Sequence, residues 1–147
     1  MIRRKLMAAL APLALIACAS SAAAATLAVT KTASCGCCGK WVDHMKKAGF
    51  TVTVRNVADV TPTAQRLKVP AKLRSCHTAE IAGYAIEGHV PVADIKRLLA
   101  QRPKAAGIAV PGMVTGSPGM EHGDHNEPYQ TILFDKAGNT RVFASHN

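Results

Sequence analysis

Three thiols lie within four positions in the segment Cys35-Gly36-Cys37-Cys38, and this density constrains both the fold and the chemistry of the chain. The segment follows an alternating, β-branched stretch at 27–32. It leads into residues 38–48, whose apolar side chains recur at helical spacing. A second alternating stretch at 51–57 completes a strand–helix–strand unit. Cysteines at the first strand-to-helix turn of such a unit predict a thioredoxin-like α/β fold.

The remaining patterns add strands and helices around this unit. They predict a short helix at 59–68, one strand within 77–87, an amphipathic helix at 92–101, and a C-terminal β-hairpin of 131–134 with 140–143. The predicted architecture is therefore a central mixed sheet with flanking helices and a C-terminal hairpin.

Residues 103–128 are rich in proline and glycine and are predicted to be loop. A small repeat lies within them, Pro111-Gly112-Met113 and Pro118-Gly119-Met120. Proline followed by glycine favours a type II turn, in which glycine takes the position of positive φ. Each turn would present a methionine directly after it.

The first residues predict a secretory signal peptide over 1–25, which leaves a domain over 26–147. A basic start precedes an apolar run and a small-residue tract, and the run is too short for a bilayer span. Cys18 also fits a bacterial lipoprotein signal, in which that cysteine would carry a lipid anchor. Either interpretation places the domain outside the cytoplasm, and the prediction is a periplasmic protein.

Charge and composition argue against nucleic-acid binding. The formal net charge is +9, and removal of the signal peptide with Arg3, Arg4 and Lys5 lowers it to +6. The other basic residues are scattered, and the chain has only one Trp, two Tyr and three Phe. Neither a basic stripe nor a set of stacking platforms is present in the sequence.

The cysteine cluster has two chemical interpretations. Cys35 and Cys38 form a C-x-x-C pair with ordinary spacing for a disulfide, and a helix N-terminus would stabilise their thiolates. Three neighbouring thiolates repel one another unless oxidation or a cation relieves the charge. Thiolates select Cu(I), with zinc as a competitor. Adjacent Cys37 and Cys38 diverge, which suits a thiolate-bridged cluster of several Cu(I) ions better than one tetrahedral zinc ion.

Other candidate ligands lie far along the chain. Cys76 either completes the site, forms a disulfide with Cys35 or Cys37, or is a single buried cysteine. His89 either faces the site or caps the following helix. The remaining candidate metal ligands are Met113, Met120, His77, His122 and His125. The alternative for the methionines and histidines of the loop is a mobile polar segment.

Several segments in order resemble the periplasmic copper-resistance CopG family, also described as domain-of-unknown-function family 411. They are the C-x-C-C segment, Ser75-Cys76-His77-Thr78-Ala79, residues 84–91, residues 109–113 and residues 116–121. The resemblance spans about residues 27–144. It implies a thioredoxin-like fold, copper bridged by Cys35, Cys37, Cys38 and Cys76, and a role in copper redox handling. The pair His122 and His125 lies outside the resembling pattern.

The resulting hypothesis is a periplasmic copper-binding protein of copper resistance. It would hold Cu(I), more than one ion, in the cysteine cluster and cycle Cu(II) and Cu(I). Its partners would be copper ions and other periplasmic copper-resistance proteins, without nucleic acid or a membrane span. A second hypothesis is a thiol–disulfide oxidoreductase with Cys35 as nucleophile and Cys38 as resolving thiol. A third is a structural zinc module. Whether the protein is an enzyme is left open.

Overall fold

The computed structural model describes residues 25–147, and both the predicted signal peptide up to residue 24 and Cys18 fall outside them. Within these residues the strands are β1 (Leu27–Thr32), β2 (Val52–Val57), β3 (His77–Ile81), β4 (Tyr84–Glu87), β5 (Gly107–Ala109), β6 (Tyr129–Phe134) and β7 (Thr140–His146). The α-helices of the same range are α1 (Gly36–Lys47), α2 (Thr61–Arg66) and α3 (Val92–Gln101).

The described strands form one mixed sheet in the order β2-β1-β3-β4-β5-β6-β7. The pairs β1/β2 and β4/β5 are parallel, and the other neighbours are antiparallel. Each parallel pair is joined by a crossover that contains a helix, α1 in the first case and α3 in the second. The predicted mixed sheet with flanking helices is confirmed.

Helix α1 packs its apolar side against the sheet. Trp41 and Met45 are fully buried there, and the Trp41 indole Nε1 donates a hydrogen bond to the Val90 carbonyl at 2.9 Å. The helix begins at Gly36, two residues before the predicted start. Cys35 is the N-cap residue, and its Sγ accepts from the Cys38 amide at 3.4 Å, a role that serine or aspartate usually fills.

Residues 77–87 form two strands, so the prediction of one strand is wrong. The hairpin between β3 and β4 turns at Ala82 and Gly83, whose φ angles are +49° and +84°. Positive φ at both central residues is the geometry of a type I′ hairpin turn, which matches the twist of the strands. Alanine is rare at such a position, and the sequence pattern for a turn was therefore weak.

The loop predicted over 103–128 contains a short buried strand, β5. Its Gly107 has no room for a side chain, since a Cβ there would lie 2.1 Å from the Ala85 carbonyl oxygen. The predicted turn at Pro118-Gly119 is confirmed: the Met120 amide donates to the Ser117 carbonyl at 2.8 Å, and Gly119 has a φ of +87°.

The C-terminal hairpin of β6 and β7 is confirmed and extends to His146. Helix α3 holds β7 with two side chains. Asp94 Oδ2 accepts from His146 Nε2 at 2.9 Å, and the Arg97 guanidinium lies 3.9 Å from the Phe143 ring centroid. Among the described residues, no helix has the length and apolarity needed to cross a membrane.

Candidate metal centre

The strand register brings four chain segments to one edge of the sheet. Strand β1 leads at its carboxyl end into the cysteine turn. Lys31 pairs with His77 across β1 and β3, so Cys76 lies beside the end of β1. Thr78 pairs with Glu87 across β3 and β4, so the chain after β4 passes the same point. The parallel strand β5 ends there as well. The loop with both Pro-Gly-Met segments, residues 111–120, follows it and is called the Pro-Gly-Met loop.

All four cysteines of the described chain meet at this edge. The Sγ atoms of Cys35, Cys37, Cys38 and Cys76 lie within 4.8 Å of one another. Cys35 and Cys38 form a disulfide with a Cα–Cα distance of 5.4 Å, and within residues 25–147 Cys37 and Cys76 are free thiols. Cys37 Sγ lies 3.5 Å from Cys35 Sγ. A short sulfur-rich surface therefore combines one disulfide with two thiols.

The start of α1 favours negative charge on these sulfurs. Cys37 and Cys38 lie in the first helical turn, where free amide groups and the helix dipole create positive potential. The first turn carries no acidic side chain. Cys38 is fully buried whereas Cys35 is partly exposed, so Cys35 is the half of the disulfide that a reagent from solvent reaches first.

Cys76 is held as a neutral thiol when no cation is near. The pKa of Cys76 is raised to about 11, mainly by burial and also by the neighbouring Cys37, against a hydrogen bond from Ser75 that lowers it. A group with this pKa is a poor nucleophile at neutral pH. A soft cation replaces its proton readily, because a metal ion and not free solvent then stabilises the thiolate.

Two buried imidazoles face the Cys76 sulfur. His89 Nε2 lies 3.4 Å from Cys76 Sγ, and His77 Nδ1 lies 3.6 Å from it. His89 Nδ1 lies 2.8 Å from the Pro118 carbonyl and therefore carries the proton, which leaves the lone pair of Nε2 directed at the sulfur. Burial lowers the pKa of both histidines, that of His77 to about 3. Both are therefore neutral, the form that binds metals.

Glu87 holds the backbone next to Cys76 in place. The sequence did not point to it as a functional residue. Its fully buried carboxylate accepts from the Ser75 amide at 2.6 Å and from the Thr78 hydroxyl at 2.7 Å. Burial raises the pKa of Glu87 to about 7, opposed by those two hydrogen bonds and by Arg74. An acidic residue in an apolar strand next to a glycine was the available sequence signal.

We expect Glu87→Gln to remove part of the pH dependence of stability in the metal-free protein. The pKa of Glu87 is raised from 4.5 to about 7, so between these pH values the folded protein keeps a proton that the unfolded chain releases. The contribution to stability is complete below pH 4.5 and falls by up to about 3 kcal/mol as pH rises to 7. His77, with its lowered pKa, acts in the opposite direction below pH 6.5.

Comparison with the variant isolates the Glu87 contribution. Urea denaturation from pH 4.5 to 8 should show the unfolding free energy of the wild type falling relative to that of Glu87→Gln as pH rises. A difference that stays constant with pH would contradict the expectation.

The Pro-Gly-Met loop covers the cysteine helix. A Cβ on Gly119 would lie 2.8 Å from the Cys37 carbonyl oxygen and 2.8 Å from the Trp41 amide nitrogen, so loop and helix backbones are in direct contact. Glu121 accepts from the Gly119 amide at 3.0 Å and contacts His44 Nε2 at 2.7 Å. These contacts tie the loop to α1.

The predicted ligands of this loop are placed differently from one another. Met120 is partly buried beside Gly119, whereas Met113 is 57% exposed. His122 and His125 are exposed and face each other through an isolated β-bridge. Among the described residues, neither histidine belongs to a group of three potential ligands within 4.8 Å. The structure thus groups the cysteines with His77 and His89 and leaves His122 and His125 apart.

Two solved structures and one family model are similar to this chain. A solved structure named copper resistance protein CopG, form 2, is 43% identical, with a TM-score of 0.80 over 84% of this chain and 98% of its own. Form 1 is 44% identical, with a TM-score of 0.78 over 82% of this chain and 96% of its own. A family model described as protein of unknown function, DUF411, matches residues 73–120. No curated protein matches the chain.

Proposed function

Since the chain belongs to the copper resistance protein CopG family, we propose that it holds Cu(I) in a thiolate cluster and exchanges electrons between copper and its own cysteines. The observation that carries the proposal is the meeting of four sulfurs within 4.8 Å, one pair of them already joined as a disulfide. Sulfur donors select Cu(I) among biological metal ions. Copper is the substrate of the reaction.

The electron count of the proposed reaction balances within the site. Oxidation of the reduced Cys35 and Cys38 thiols to a disulfide releases two electrons and two protons. The electrons reduce two Cu(II) ions to two Cu(I) ions, and the protons pass to solvent. Cys37 and Cys76 keep their thiols, and these hold the product Cu(I) ions until the ions are released. Exchange between a dithiol and a disulfide needs only two cysteines. Cys37 and Cys76 are additional to that need, but the proposed reaction uses them to bind copper.

Other parts of the proposal rest on the sequence. The thioredoxin-like interpretation of the β1-α1-β2 unit, the signal peptide and the periplasmic location belong to it. Met113 would capture copper at the exposed surface, and Met120 would pass it to the sulfurs beneath, with His122 and His125 as further ligands. Other copper-resistance proteins of the same compartment would deliver or receive the ion.

An anaerobic Cu(I) titration of the reduced chain tests the cluster. Every protein in this titration carries Cys18→Ala, because Cys18 is a thiol outside the described residues. We expect more than one Cu(I) per chain and copper–sulfur scattering in X-ray absorption. The single tryptophan, Trp41, should report binding through its fluorescence, because its ring lies 4.5 Å from that of His77. Binding of one ion or none, without a copper–sulfur signal, would overturn the cluster.

The redox step is tested by mixing the reduced protein with two equivalents of Cu(II). We expect two Cu(I), captured by a chromogenic chelator, and one Cys35–Cys38 disulfide identified by peptide mapping. Cys38→Ser should abolish the disulfide and most of the Cu(I). Unchanged Cu(I) yield in this variant would show that the pair does not supply the electrons.

A thiol–disulfide oxidoreductase is the second candidate, favoured by the partly exposed Cys35 joined to the buried Cys38 at a helix N-terminus. This arrangement supports attack by Cys35 and resolution by Cys38. Turnover of a disulfide substrate by the metal-free protein would favour this candidate. Copper reduction without such turnover would favour the first.

A further inference from the structure

Cys76 belongs to two different groups of potential ligands in the described chain. One is the four-cysteine group, and the other consists of Cys76, His77 and His89, whose ligand atoms also lie within 4.8 Å of one another. A metal ion bound to sulfur at about 2.3 Å and to nitrogen at about 2.0 Å, with a tetrahedral angle, requires a sulfur–nitrogen separation of about 3.5 Å. The observed separations are 3.4 Å to His89 and 3.6 Å to His77.

The two imidazoles are oriented for this purpose before any ion binds. The Pro118 carbonyl holds the proton of His89 on Nδ1, which is the orientation that outer partners impose on metal-binding histidines. In the described chain the ring Nδ1 of His77 faces the Cys76 sulfur, and its buried Nε2 has no hydrogen-bond partner. Binding of an ion through Nδ1 would therefore cost His77 no other hydrogen bond.

The Cys35–Cys38 disulfide does not involve this second group. Oxidation removes two of the four sulfurs from the cluster, whereas Cys76, His77 and His89 keep all three ligand atoms. One thiolate with two imidazoles is a donor set suited to a single divalent ion such as Cu(II), and four thiolates suit Cu(I). Disulfide formation therefore changes which ion the site prefers.

We propose that the disulfide form of the protein binds one divalent transition-metal ion at Cys76, His77 and His89. The inference rests on the proposed copper function and adds a second, mononuclear site to it. On binding, the sulfur–hydrogen bond of Cys76 breaks, a metal–sulfur bond forms, and the proton passes to solvent without electron transfer. The oxidised protein would thus keep one copper ion while the thiolate cluster is dismantled.

Co²⁺ is the probe for the test, because it does not oxidise thiols and its spectrum reports both sulfur ligation and geometry. The full chain carries Cys18→Ala and Cys37→Ser, so that Cys76 is the one free thiol, and mass spectrometry confirms the Cys35–Cys38 disulfide. We expect one equivalent of Co²⁺ to bind with a sulfur-to-cobalt charge-transfer band and the strong visible bands of a four-coordinate ion. Cu(II) should then displace it.

His89→Asn is the matched variant, since the asparagine amide can still donate to the Pro118 carbonyl but offers no atom at the Nε2 position. We expect Co²⁺ affinity to fall at least about 10-fold, which is the smallest loss usual for disturbed metal sites. The Co²⁺ affinity of His77→Gln should fall by a similar factor. His146→Gln, which alters a histidine of β7 that contacts Asp94, should bind Co²⁺ as tightly as the parent, with Trp41 fluorescence confirming the fold of each variant.

The contrary outcomes separate this inference from the proposed function. Absence of the charge-transfer band in the disulfide form, or unchanged affinity in His89→Asn, would overturn the mononuclear site. Loss of Co²⁺ in a His122→Ala/His125→Ala variant instead would overturn it too, by placing the ion on the exposed loop. The Cu(I) stoichiometry of the reduced protein is measured separately, and its failure would count against the cluster alone.

Discussion

Cys76→Ser is expected to weaken metal binding in both redox states, the largest effect of any single substitution in the site. Among the described residues, Cys76 is the one ligand common to the four-cysteine group and to the group with His77 and His89. A serine hydroxyl is a hard, weak donor that cannot replace a thiolate for copper. We expect affinity to fall roughly 100-fold or more, beyond the 10–100-fold usual when only an outer partner of a ligand is lost.

Two further variants make this expectation specific. Cys37→Ser should lower the Cu(I) stoichiometry of the reduced protein and leave Co²⁺ binding in the disulfide form intact. His89→Asn should weaken Co²⁺ binding in the disulfide form and leave the Cu(I) stoichiometry of the reduced protein intact. The three variants compared in one Cu(I) titration and one Co²⁺ titration form the complete test. Full Cu(I) binding by Cys76→Ser would show that the sulfur of Cys76 is a neighbour of the cluster and not a ligand.

Stability should distinguish loss of a ligand from loss of the fold. The metal-free protein holds Cys76 as a partly buried neutral thiol, for which serine is a close substitute in shape. We therefore expect the unfolding free energy of metal-free Cys76→Ser to stay within about 1 kcal/mol of the wild type. The added stability on loading with copper should disappear, because only binding to the folded state stabilises it.

Gly119→Ala is expected to lift the Pro-Gly-Met loop from α1, and Gly112→Ala is its matched control. Both glycines follow a proline, and both have positive φ, +87° and +77°. Alanine therefore costs each about 1–2 kcal/mol of backbone strain. Only at Gly119 does the new methyl group meet backbone atoms, at 2.8 Å from the Cys37 carbonyl and from the Trp41 amide, whereas at Gly112 nothing in the described chain lies within 4 Å.

Backbone atoms cannot change rotamer to make room, so the contact between Gly119 and α1 must open. We expect Gly119→Ala to destabilise the protein by about 2 kcal/mol more than Gly112→Ala, as is common for overpacking. The loop movement should also break the His89–Pro118 hydrogen bond and weaken Co²⁺ binding in the disulfide form. Equal melting temperatures and equal metal affinities for the two variants would show that the loop contact is unimportant.

Much of the fold could be predicted because its patterns are local. The alternation at β1 and β2 and the amphipathic spacing of α3 depend on near neighbours in the chain, and all three elements lie where they were predicted. The β3–β4 hairpin was missed because Ala82 adopts a left-handed conformation that alanine rarely takes. Strand β5 was missed because three residues are too few to show a period.

The site also has a part that local sequence patterns predict and a part that they do not. The concentration of sulfur at Cys35, Cys37 and Cys38, and its position between a strand and a helix, follow from residues adjacent in the chain. The place of Cys76 beside them and the presence of His89 opposite it depend on the register of β1, β3 and β4. No local pattern encodes that register, because it is set by which faces of the strands are buried together.

The amino-acid sequence therefore settles that this is an α/β chain with a redox-active or metal-binding cysteine turn, because thiol density and periodicity are properties of short segments. The tertiary structure decides the rest: which cysteines are joined, which thiol stays neutral, and which imidazoles share the sulfur of Cys76. Those outcomes depend on burial and on contacts between segments that are apart in the chain, 13 residues between Cys76 and His89 and 38 residues between Cys38 and Cys76, which only the assembled sheet creates.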